Sequence, residues 1–113
     1  MFSNFFSSNK IINLDSESFE RKLSQDENAV ILDVRTQQEY NEYRIPNSLL
    51  IDIYRPTFLN EIEKLDRTKN YYVYCHSGAR SYQAAAKMVK LGFDNLFNLS
   101  GGIASWYGEI EES

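Results

Sequence analysis

The chain's only cysteine and only histidine, Cys75 and His76, are neighbours within "YYVYCHSGARSYQAAAKMV" (71–89). A β-like aromatic run leads into them, Ser77, Gly78, Ala79 and Arg80 follow, and an alanine-rich helical pattern begins at once. A helix N-terminus leaves backbone N–H groups unpaired and carries a partial positive charge. A loop curling into that end aims several N–H groups inward as an anion nest. A thiol placed there ionises more easily than a free cysteine. Gly78 permits a backbone conformation that a side chain would obstruct, and the Arg80 guanidinium offers a fork that matches an oxyanion. The chemistry expected is an anion meeting a sulfur nucleophile. A cysteine at a strand end is by itself ordinary packing; it is the strand–Cys–His–Ser–Gly–x–Arg–helix order that gives Cys75 a reactive reading. Adjacent loop side chains commonly point apart, so His76 reads as an exposed loop residue rather than the base of a Cys–His pair.

The elements around the loop are short and alternate. "AVIL" (29–32) is a continuous apolar run suited to a parallel strand covered on both faces. "KIINL" (10–14), "SLLIDI" (48–53), "YYVYC" (71–75) and "NLFNL" (95–99) are further strand candidates. Between them, "DSESFERKL" offers Asp15 or Ser16 as a helix cap, and "TQQEY" fits a capping box of Thr36 with Glu39. "TFLNEIEKL" sets Phe58, Ile62 and Leu65 on one face. "SYQAAAKMVKLG" predicts a buried face of Tyr82, Ala85, Ala86 and Val89, with Gly92 as its stop. Strands alternating with helices imply βαβ units, a mostly parallel sheet and an α/β fold. Ligands of such sheets bind outside the C-terminal strand ends, where Cys75, Asp33 and Ser100-Gly101-Gly102 fall.

Bulk properties exclude several other classes. At 113 residues one domain is expected over 1–113, with loosely ordered ends at 1–9 and 109–113. A net charge of −4 with scattered basic residues lacks the basic stripe of a nucleic-acid partner. No apolar run approaches the roughly 20 residues of a membrane span. "MFSNFFSSNK" lacks the pattern of a secretory signal, so the expected address is cytoplasmic. One cysteine and one histidine leave no internal disulfide and no ordinary zinc site; no metal or cofactor is expected.

The segments "ILDVRTQQEYNEYRIPNSLLIDI" and "YYVYCHSGARSYQAAAKMVKLGFDNLFNLSGGIASW" resemble the single-domain rhodanese-like sulfurtransferases over about residues 11–108. The resemblance rests on Asp33-Val34-Arg35…Glu39-Tyr40, Ile45-Pro46, the cysteine loop, and Leu99…Gly101-Gly102…Trp106, in that order. It implies a three-layer fold with a central, mostly parallel five-stranded sheet flanked by helices. It also implies a thiosulfate sulfurtransferase type of enzyme, in which Cys75 takes a sulfane sulfur from a small anionic donor as a persulfide. A thiophilic acceptor, such as a thiol or a sulfur-carrier protein, then receives the sulfur. The N–H groups from His76 through Ser77, Gly78, Ala79 and Arg80 to Ser81 would stabilise the thiolate and persulfide, and Arg80 would help hold the donor. Related cysteine phosphatases and arsenate reductases have a longer loop, generally with five residues between cysteine and arginine. Here four residues separate Cys75 from Arg80, which suits a sulfur atom better than a phosphoryl group.

Where the family usually reads Gly-His-Ile-Pro-Gly-Ala, this chain has "YRIPNS" (43–48), without the histidine. Asp33, Arg35 and Glu39 read as structural support rather than an acid–base set. Arg35 is expected to pair with Glu39, Glu39 to close the box with Thr36, and Asp33 to accept backbone N–H bonds. Gly101-Gly102 reads as a turn that lets Ile103 and Trp106 cap the core, and the aromatics read as packing. The acidic "GEIEES" reads as a solvated tail. A non-catalytic rhodanese-like binding or redox-sensing module stands as the alternative from another class, with a phosphatase or arsenate reductase behind it.

Overall fold

The computed structural model describes residues 10–113, so the expectation for residues 1–9 lies outside the described residues. Five parallel strands form the central sheet: β1 (Ile11–Leu14), β2 (Ala29–Asp33), β4 (Leu49–Leu50), β5 (Asn70–Tyr74) and β6 (Leu96–Leu99). Across the sheet they lie in the order β1-β6-β5-β2-β4. A separate antiparallel pair joins β3 (Tyr43–Arg44) to β7 (Glu111–Glu112), with Arg44 bonded to Glu111. Four helices complete the fold: α1 (Ser16–Ser24), α2 (Gln37–Glu42), α3 (Phe58–Glu63) and α4 (Ala79–Lys90). Among the described residues, no helix is long and apolar enough to cross a membrane.

Side-chain alternation along β5 divides the core into its two halves. Tyr71, Val73 and Cys75 face one way, and pack with Phe58 and Ile62 of α3 and Ala84, Ala85 and Met88 of α4. Tyr72 and Tyr74 face the other, with Phe19 of α1, Ile45, Phe97 and Ile103. Period-two alternation under helices on both faces gives the three layers their order.

Local signals set the helix starts. Asp15 accepts the Ser18 N–H at 2.8 Å, and Thr36 with Glu39 forms the expected capping box. The expected strand at 48–53 shortens to two residues. Ile51 and Ile53 still donate to the carbonyls of Asp33 and Val34, but the Asp52 side chain then accepts the Tyr54 N–H and turns the chain.

The expected face of α4 is corrected in part: Ala85 is buried as expected and Ala86 and Val89 are half-buried, but the face is centred on other residues. Its buried residues are Ser81, Ala84, Ala85 and Met88, while Tyr82 is exposed. Gly78, with a φ of 104°, caps the helix and turns Ser81 inward. From Ser81, helical spacing puts positions 84, 85 and 88 on the same face. The loop that holds the sulfur therefore sets the phase of the helix.

Candidate functional site

Cys75 follows β5 at the C-terminal edge of the sheet, and its thiol is buried. The Gly78 N–H donates to its Sγ at 3.1 Å, and the Ser81 hydroxyl lies 3.4 Å from it. Burial acts to raise the thiol pKa. Hydrogen bonding from the Ser81 side chain and from the backbone of Ser81, Gly78 and Ser77 outweighs it, and the pKa lies below the ordinary value. His76 and Ser77 are exposed on the rim, and Ala79 to Ser81 form the first turn of α4. The helix thus begins inside the motif, and the N–H groups of Ser77, Gly78 and Ser81, around its start, act on the sulfur.

Two supports of this loop went unread in the sequence. Gly102 lies so close to the loop that a Cβ there would overlap the His76 carbonyl. The N–H groups of Ile103 and Ala104 then donate to the carbonyls of Cys75 and His76 at 2.9 and 3.0 Å. The Gly101-Gly102 turn is thus a buttress of the cysteine loop, besides seating Ile103 in the core. Beneath it, the buried Asn98 amide donates to Gly78 O at 3.3 Å and to Asn13 at 2.9 Å. A polar residue inside the apolar run of β6 was the available signal.

The expected pairing of Arg35 with Glu39 is not formed. Arg35 turns inward and pairs with Asp33 through Nε at 3.0 Å and Nη2 at 2.8 Å, both residues being almost fully buried. Asp33 also accepts the Arg35 backbone N–H, as expected, and the Tyr74 hydroxyl at 2.8 Å. Glu39 binds Arg80 instead, in a two-point contact at 2.8 and 3.0 Å. Hydrogen bonding from the Arg80 guanidinium brings the Glu39 pKa down to about 2, aided by Thr36 and opposed by burial. The physical reason for the exchange is position. Arg35 leaves a strand end beneath the Tyr43 and Tyr74 rings, while Glu39 and Arg80 occupy the first turns of α2 and α4.

The divergent "YRIPNS" segment is held by the same buried network. Arg35 donates to the Tyr43 carbonyl at 2.7 Å, and the Ile45 N–H donates to the Tyr74 hydroxyl at 3.1 Å. Asn47, at the position where the resemblance implies glycine, takes a φ of 67° in a turn closed from Ser48 to Ile45. Asparagine tolerates that region better than most side chains. A groove of about 530 Å³ between α1 and this segment has an apolar floor including Ile31 and Trp106, and its lining includes none of the cysteine loop.

A parallel α/β sheet with a cysteine cradled between a strand end and a helix start defines the class of the chain. The profile of the family described as "Rhodanese-like domain" matches residues 16–109, and the chain belongs to that family. It is 37% identical over 94 residues to a sulfurtransferase of Allochromatium vinosum, covering 82% of this chain and 85% of that protein. It is 38% identical over 78 residues to the thiosulfate sulfurtransferase GlpE of Coxiella burnetii, covering 68% and 70%. A putative sulfur carrier protein of Bacillus subtilis, YrkF, shares 38% over 99 residues, of which this chain spans half the length. Among solved structures, the rhodanese-like domain protein of Staphylococcus aureus superposes with a TM-score of 0.78 at 27% identity, covering 90% of this chain and 98% of that one.

Proposed function

We propose that the protein is a cytoplasmic sulfurtransferase that carries a sulfane sulfur as a persulfide on Cys75. The observation that carries this reading is the Sγ itself, lowered in pKa and bonded by Gly78 N–H and Ser81. The Cys75 thiolate bonds to the outer sulfur of a donor such as thiosulfate, the S–S bond breaks, and its electron pair leaves on sulfite. An acceptor thiolate, a sulfur-carrier protein or cyanide then takes the terminal sulfur and regenerates the thiolate. No general base is needed when the loop holds the sulfur ionised, which agrees with His76 lying on the rim. The sulfurtransferases and sulfur carrier among the relatives support this chemistry and these partner classes. The short loop, with Arg80 engaged by Glu39, favours sulfur transfer over phosphoryl transfer.

The protein is incubated with thiosulfate or a thiol persulfide and weighed intact. A gain of one sulfur atom that cyanide removes, and that Cys75→Ser lacks, is expected. No adduct with any sulfane donor overturns the proposal. A stable adduct that no acceptor discharges identifies a binding or redox-sensing module instead.

A further inference from the structure

In a loop that receives an anionic donor, a guanidinium at the rim is an attractive charge only while it is free. Arg80 is not free. Nη1 and Nη2 both bind Glu39, at 2.8 and 3.0 Å, in a parallel fork-to-carboxylate contact. The carboxylate is also fixed by its own helix cap, since Glu39 Oε1, the oxygen that Arg80 Nη1 binds, accepts from both the N–H and the hydroxyl of Thr36 at 3.1 Å. Glu39 is thus locked by the capping box of α2 while it holds the first turn of α4. Both side chains stay partly open to solvent, at 21% for Arg80 and 28% for Glu39, so the pair belongs to the rim that a donor meets. The exposed Tyr54 ring lies 5.9 Å from the guanidinium and adds no opposing charge.

We propose that Glu39 sets the donor class, its pairing with Arg80 selecting thiol persulfides over dianionic oxyanion donors such as thiosulfate. This rests on sulfur transfer through Cys75. A thiosulfate dianion meets a neutralised cation with a fixed carboxylate beside it. To gain the Arg80 fork it must displace Glu39 and leave that carboxylate unpaired. A thiol persulfide asks for no such exchange. The Cys75 thiolate bonds to the outer sulfur of R–S–SH, and the S–S bond breaks. Its electron pair leaves on R–S⁻, and the proton remains with the new Cys75 persulfide. No oxidant or reductant enters. Glu39 is a positioning residue in this scheme, acting through Arg80.

The test uses the full chain and two donors, thiosulfate and cysteine persulfide, with loading of Cys75 followed by intact mass. Wild type is expected to load faster from cysteine persulfide. Glu39→Gln keeps the capping box, because an amide oxygen accepts the same bonds, and it releases the charge of Arg80. The ratio of thiosulfate to persulfide loading then rises about tenfold, as expected for one partly screened charge. In steady state with cyanide, the gain falls on KM for thiosulfate rather than on kcat. In an Arg80→Gln background the same Glu39→Gln change no longer lowers that KM. An unchanged ratio, a gain confined to kcat, or a lowered KM that persists without Arg80 overturns donor selection by Glu39 alone. Loading by neither donor overturns sulfur transfer through Cys75, and donor selection with it.

Discussion

At Cys75 two opposing effects meet within one hydrogen-bond length. Burial penalises the thiolate, while the Ser81 hydroxyl and the N–H groups of Ser81, Gly78 and Ser77 favour it, and the donors win. The hydroxyl is the leading favourable contribution, its single proton lying within reach of both the sulfur at 3.4 Å and the Gly78 carbonyl at 3.1 Å. Ser81→Ala therefore removes a donor to an ion and leaves the burial cost in place. A charge-assisted hydrogen bond contributes about 1.5–3 kcal/mol, so the thiol pKa should rise by at least about one unit. Titration of the thiolate by its ultraviolet absorbance in wild type and variant checks this. An unmoved midpoint assigns the stabilisation to the backbone alone.

At the scale of elements, the site and the core share helix α4. Ser81 reaches the sulfur, and its helical successors Ala84, Ala85 and Met88 enter the core beside it. Met88→Ala should cost about 2–5 kcal/mol of stability, as truncation of a fully buried side chain does. Tyr82→Ala, on the exposed side, should stay within about 0.5 kcal/mol. Urea unfolding of both variants separates the observed phase from the one expected around Tyr82. That expectation erred because an alanine-rich helix offers apolar residues on more than one face, and periodicity alone cannot choose between them. What was legible in the sequence was local. The capping box of Thr36 and Glu39, the Asp15 cap, the order of the five strands along the chain and the cysteine loop all depend on neighbours a few residues apart. What was not legible lies far apart in sequence. Glu39 meets Arg80, and Asn98 meets Gly78, only after β2, β5 and β6 have paired. Arg35 had two carboxylates within reach along the chain, and only the burial of the strand end selects Asp33. The glycine at 102 announced a turn, but its close approach to His76 is a property of the folded sheet.

For the molecule as a whole, the Glu39–Arg80 pair ties the segment after β2 to the segment after β5 at the C-terminal ends of these two neighbouring strands, and this gives acid stability a specific origin. Glu39 has its pKa lowered from 4.5 to about 2, first by hydrogen bonding from Arg80 and further by Thr36, against the cost of burial. A carboxyl depressed in the folded state binds fewer protons there than when unfolded. Its contribution is therefore fully present above about pH 4.5 and is lost as pH falls towards 2. Because the pair is partly exposed, the contribution is discounted to on the order of 1–2 kcal/mol. Asp15, Asp26 and Asp66 are also depressed and add to acid unfolding, so wild type alone cannot isolate the pair. The difference between wild type and Glu39→Gln can, since those three are common to both. Urea unfolding at a series of pH values should show wild type losing stability more steeply than the variant below pH 4.5, the difference between their curves levelling off above it. Coincident curves through and above that window would mean that the two-point contact between α2 and α4 holds no net stability, and that its role is confined to the charge it presents at the mouth of the cysteine loop.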